Sequence, residues 1–160
     1  MNQSYIIPFM KSVQNVFETM LQLPVQISEP SLKHENTPTF DVSGIIGMSG
    51  DVSGTIVLSF PTATAERIVS IFTGMEINSE HEDFADAVGE LVNMISGGAK
   101  AQFVDKNVSI TCPSVVIGSS HQIFGQKDLT IVEIPCGSDC GDFSIEVGIR
   151  QSADVTVEVS

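Results

Sequence analysis

Two carboxylates, an amide and a glycine recur as Asp86-x-x-x-Glu90-x-x-Asn93-x-x-x-Gly97 within the stretch from Glu82 to Lys100. Read as a helix turning about 100° per residue, this spacing gathers all four into one narrow stripe. Phe84, Val88, Leu91, Val92, Ile95 and Ala99 fall on the opposite side and form a core face. An exposed amide holds a water through one donor and one acceptor, and an exposed glutamate pairs with a lysine on another protein. A convex helix surface is a poor pocket for a free small molecule but a good wedge for another protein's cleft. The chemistry that suits it is positioning rather than covalent attack. Ala87, Gly89 and Gly97 lie on or near the margins of the stripe, which leaves it thinly screened. An ordinary solvated helix presents the same pattern, so the surrounding elements must decide between the two.

A first helix is predicted over Ile6–Leu23, where Ile6, Phe9, Met10, Val13, Val16, Phe17, Met20 and Leu21 recur at intervals of three and four. Ser4 is its candidate cap and Pro24 its stop. A short strand at Val25–Ile27 is followed by a proline-rich loop. Asp41 to Phe60 reads as a hairpin turning at Ser49-Gly50-Asp51. The glycines at 44, 47, 50 and 54 serve turns and bulges, because no Gly-Lys-Ser/Thr follows them and a strand comes next. Thr62 caps a second helix that Gly74 closes. Ser79 is the candidate cap of the helix bearing the stripe, and its apolar face continues to about Val104. Strands follow at Val108–Thr111, Ser114–Ile117, Asp128–Ile134 and Asp142–Ile149. The order predicts an α+β fold: an α/β sandwich whose mostly antiparallel sheet packs its helices on one face. Residues 1–150 form one domain, and 151–160 are left as an edge strand or C-terminal tail.

The composition narrows the function. The chain of 160 residues is 42% hydrophobic and carries 20 acidic against 7 basic residues, a formal charge of −13. Such a surface repels phosphate backbones and anionic membranes, so nucleic-acid and membrane partners are not expected. No apolar run approaches the ~20 residues that span a bilayer. The N-terminus lacks a basic region leading into an apolar stretch, so a cytoplasmic location is expected. Three cysteines fit a reducing compartment: Cys136 and Cys140 bracket an apparent turn, and Cys112 sits in an apparent strand. His34, His81 and His121 show no ligand spacing, and no metal or other cofactor is expected on this chain. There is no Gly-x-Ser-x-Gly elbow for acyl chemistry. Asp86 and Glu90 are stacked on one surface, whereas glycosidase carboxylates face each other across a cleft.

The Asp86-x-x-x-Glu90-x-x-Asn93 motif, with Met94 and Gly97 after it, resembles the Asp/Ser-x-x-x-Glu-x-x-Asn signature of the CheC/CheX/FliY phosphatases of bacterial chemotaxis. Its setting matches as well. The glycine-rich hairpin 44–60, the helix after Pro61, the signature helix and the Ile110–Val116 segment run in the order seen in CheX. The resemblance covers about residues 5–150 and includes one copy of the motif, since Ser12 and Asn15 on the first helix lack its spacing. It implies dephosphorylation of a phosphorylated CheY-like receiver. By resemblance Glu90 engages the receiver's lysine, Asn93 orients the attacking water, and Asp86 and Gly97 belong to docking. It also places Mg²⁺ on the receiver's aspartates and implies a homodimer joined at edge strands. The rival reading is a non-catalytic receiver-docking adaptor, or a flagellar-switch-like interaction module, of the same fold.

Overall fold

The structure, a computed structural model, describes residues 3–33, 40–118 and 130–151. Its frame is a hairpin of β3 (Val42–Gly50) and β4 (Val52–Phe60), which pair from Val42↔Phe60 to Met48↔Gly54. Alternate residues build the two faces. Val42, Ile46, Ile56, Leu58 and Phe60 are buried on the helix side, while Ser43 and Ser59 share a 3.1 Å hydroxyl contact on the other. Gly50 closes the turn at φ 106°, a left-handed conformation that favours glycine. Asn107 clamps that turn: its carbonyl accepts the Asp51 N–H at 2.9 Å, and its own N–H donates to Asp51 Oδ2 at 2.8 Å.

Further strands extend the frame on both sides. Beyond β4 lie β8 (Gly141–Gln151) and β7 (Ile131–Ser138), and β1 (Gln26–Ile27) and β2 (Ser31–Leu32) both pair with β7. Beyond β3 lie β5 (Val108–Ile110) and β6 (Ser114–Ile117), both paired with β3. Among the described residues all eight strands form one sheet and every pairing is antiparallel.

Three helices pack over the apolar face: α1 (Gln3–Leu21), α2 (Thr62–Thr73) and α3 (Phe84–Lys100). Phe9, Phe17, Ile68, Phe84, Leu91 and Ile95 are fully buried between the helices and Ile46, Leu58, Phe143 and Ile145 of the sheet. Phe17 stacks on Phe143 with ring centroids 4.9 Å apart. The predicted α+β layering is the observed one.

Local boundaries differ from expectation for identifiable reasons. Helix α1 starts at Gln3, so Ser4 lies inside it rather than capping it. Thr62 is the first residue of α2, after Pro61, and its hydroxyl donates to Asp41 Oδ2 at 3.3 Å instead of capping. Ser79 does not cap α3. Residues 79–83 form turns, with the Ser79 N–H donating to Glu66 Oε2 at 2.8 Å and the Asp83 N–H to His81 Nδ1 at 3.0 Å. At its other end α3 stops at Lys100, and the chain turns through Asp105 at φ 61° while Phe103 stays buried against Tyr5 and Phe9. Cys112 lies between β5 and β6 and is exposed. Cys136 is inside β7, and the turn follows at Asp139-Cys140. His34, His121 and the tail from 152 lie outside the described residues.

Candidate functional site

Helix α3 is seated by close approaches on its buried side. A Cβ at Gly44 of β3 would stand 3.0 Å from Val92 Cγ1 and 3.4 Å from Val88 Cγ1, so a glycine there lets the helix sink onto the sheet. Against α1, the Ser12 hydroxyl donates 2.6 Å to the Ile95 carbonyl, and a Cβ at Gly98 would collide with Ser12 Oγ. Ser12 is therefore a buried packing residue. Phe84, Val88, Leu91, Val92, Ile95 and Ala99 are each 0% exposed. With that face fixed inward, the rotation of the helix fixes the stripe outward.

Asp86 and Glu90 are exposed, and Asn93 and Gly97 are half-exposed. The side chains of Asp86, Glu90 and Asn93 have no hydrogen-bond or ion-pair partner among the described residues. A Cβ at Gly97 would meet nothing within 4 Å, so the surface there is open. Glu90 and Asn93 are three residues apart, about 4.5 Å along the axis and on adjacent turns of one face. A lysine and a water can therefore be held side by side.

Two margins of the stripe differ from the sequence reading. Ala87 is 7% exposed and belongs to the core. Gly89 is buried beneath a loop that the sequence did not single out. Between Ile110↔Met48 and Ser114↔Ile45 the edge strand spends four residues where β3 spends three. This one-residue bulge throws Pro113 onto α3, where a Cβ at Gly89 would lie 3.3 Å from Pro113 Cγ and 3.6 Å from Val115 Cγ2. The Thr111 N–H to Gly47 carbonyl bond, 3.0 Å, and the Gly47 N–H to Thr111 Oγ1 bond, 2.9 Å, pin the bulge to β3. Pro113 therefore walls the Asn93 side of the stripe. A second missed residue is Lys100, exposed in the last turn. Its spacing of seven from Asn93 puts it on the same face.

Elsewhere the buried titratable groups are structural. Glu146, 4% exposed on the sheet face away from the helices, pairs with Lys33 Nζ at 2.7 Å. Burial pushes the Cys136 thiol from its ordinary value of 9.0 up to about 12. Burial also raises the Cys140 thiol, against a smaller opposing pull from Arg67. Among the described residues no three His, Cys, Asp or Glu side chains are grouped to hold a metal, and no helix is long and apolar enough to cross a membrane.

Comparison with known proteins adds a second line. Residues 42–137, which include Glu90 and Asn93, match the family described as "Chemotaxis phosphatase CheX". The CheY-P phosphatase CheX of Thermotoga maritima is 34% identical over 116 residues, 70% of this chain and 74% of that protein. A CheC-like superfamily protein from Shewanella sp. PV-4 superposes with a TM-score of 0.85 at 34% identity, covering 94% of this chain and 99% of the other. CheX from Vibrio vulnificus superposes at 0.83 with 32% identity, over 91% and 99%.

Proposed function

The chain belongs to the CheX family of chemotaxis phosphatases, and we propose that it hydrolyses the aspartyl phosphate of a CheY-like receiver by positioning a water. The observation that carries this reading is the exposure of Glu90 and Asn93 on one helix face, their side chains without a partner among the described residues. Docking alone has no need of an amide beside the acid.

Glu90 pairs with the receiver's lysine and sets the approach. Asn93 then enters the receiver's active site. Its carboxamide oxygen accepts from the attacking water, and its NH₂ donates to a phosphoryl oxygen. The water oxygen joins phosphorus, the bond from phosphorus to the aspartyl oxygen breaks, and the aspartate leaves as its carboxylate. The water's protons leave with the phosphate. An acyl phosphate is already labile, so a held water in line with the leaving group is enough. Charge on the phosphoryl group is met by the receiver's lysine and by Mg²⁺ on the receiver's aspartates. Asp86 contributes to docking, and the open surface at Gly97 admits the partner's backbone.

Catalysis in the cytoplasm, where receivers work, and a homodimer joined at sheet edges complete the reading. The edge strand β6 supports the dimer: Val116 and Ile117 are 36% and 47% exposed, and an uncovered apolar edge favours strand pairing. Following phosphate loss from a phosphorylated, Mg²⁺-loaded CheY tests the activity. Decay faster with the protein than without it is expected. Binding with no acceleration would leave the adaptor reading standing. Light scattering tests the dimer, with Val116→Lys expected to give monomer and a wild-type monomer to remove that part of the reading.

A further inference from the structure

The exposed seam of α3 does not end at Asn93. Asp86, Glu90, Asn93, Gly97 and Lys100 succeed one another at intervals of four, three, four and three. That alternation keeps a row on one face and places these five within an arc of about 80°. The seam is polarised: its N-terminal end carries Asp86 and Glu90, and its C-terminal end carries Lys100, with Gly97 an open gap before it. Lys100 is exposed, and its ammonium has no hydrogen-bond or ion-pair partner among the described residues. In a chain of seven basic and twenty acidic residues, a free lysine in line with the reactive pair is a distinctive mark.

The size of a specific interface points the same way. Partners of this kind cover about 800 Å² each, far more than three side chains supply. On one flank Pro113 walls the stripe. Along the axis the surface is open over Gly97 toward Lys100.

Resting on the reading of Glu90 and Asn93 as the reactive pair, we infer that the phosphorylated receiver lies along the whole seam and presents a carboxylate to Lys100. That carboxylate sits about 10 Å along the α3 axis from the point Asn93 reaches, seven residues at 1.5 Å each. Glu90 takes a cation from the receiver and Lys100 takes an anion, so the two contacts together allow one direction of docking and disfavour its reverse. Lys100 is a specificity residue that never touches the phosphoryl group.

The test is steady-state dephosphorylation of acetyl-phosphate-treated, Mg²⁺-loaded CheY, with binding measured in parallel. Lys100→Glu is expected to raise KM and Kd by about fivefold or more, with kcat within about twofold of wild type. Its loss of affinity should shrink as salt is raised from 0.05 to 0.5 M, where surface charges are screened. Lys100→Arg should restore wild-type KM. Arg67→Glu makes the same charge change where the guanidinium lies against the Cys140 carbonyl, and should leave KM within about twofold. If wild type turns over and Lys100→Glu matches its KM, this inference fails while the phosphatase reading stands. The same holds if Arg67→Glu raises KM equally, since net charge would then be the cause. If wild type neither binds nor dephosphorylates the receiver, both fail.

Discussion

Two acidic regions of this molecule are treated in opposite ways. Glu146 sits 4% exposed on the outer sheet face, directly across from Glu133, and the 2.7 Å bond from Lys33 neutralises it. The Glu90 side chain stands on α3 with no partner among the described residues. Burial explains the first, because an unpaired charge out of water costs several kcal/mol and the fold must answer it from within. Exposure explains why the second is tolerated, and the order around it explains why it is aimed. Four close contacts (Gly44 with Val92, Ser12 with Ile95, Gly98 with Ser12, and Gly89 with Pro113) hold the helix that presents it. The internal pair should therefore govern stability, and the external acid should govern only what the molecule does to a partner.

Breaking the internal pair gives the largest expected change in stability. Glu146→Ala leaves the Lys33 ammonium with a side chain only 10% exposed and should cost about 3 kcal/mol in denaturant unfolding, with turnover per folded molecule unchanged. A smaller effect comes from the seat of α3. Gly98→Ala forces a methyl against Ser12 Oγ and disturbs its bond to Ile95, for about 2 kcal/mol of lost stability.

The alkaline limb should show the buried thiol. The Cys136 pKa is raised in the fold to about 12 from 9.0, so its stabilising share is intact below pH 9.0 and declines between 9.0 and about 12. At pH 10 the unfolded thiol is mostly ionised, and wild type should have lost about 1 kcal/mol relative to Cys136→Ala, each measured against its own value at pH 7. Parallel pH profiles for the two proteins would remove this assignment.

The smallest effect is also the sharpest on the contrast. Gly97 has open space around its missing Cβ, so Gly97→Ala should stabilise the fold by up to about 1 kcal/mol through helix propensity. On the proposed docking face the same methyl should weaken receiver binding severalfold. Adjacent glycines would then respond with opposite signs in stability, Gly98 for the interior and Gly97 for the partner.

The stripe was legible because a helical period and an apolar opposite face are local signals, and Phe84 through Ala99 supply both. The sheet was legible for the same reason in its long strands. What escaped depends on register or on competition between partners. β2 is two residues long and too short to show a period. The wall at Pro113 exists only because the edge strand gains one residue on β3, and nothing local to Thr111-Cys112-Pro113 announces that. Thr62 and Ser79 carry good capping side chains, yet Asp41 takes the Thr62 hydroxyl and Glu66 takes the Ser79 N–H. Lys100 is visible by spacing alone and stands outside the three-position signature.

The central claim is that Asn93 does its work on the partner and none in the fold. Its most direct test is single-turnover decay of phosphorylated CheY with wild type and with Asn93→Ala, alongside unfolding and receiver binding. Acceleration should fall by about 100-fold or more, while stability changes by less than about 0.5 kcal/mol and binding survives. Glu90→Ala in the same assay should weaken both binding and turnover. Wild-type acceleration by Asn93→Ala, or decay at the receiver's own rate with wild type itself, would contradict the account.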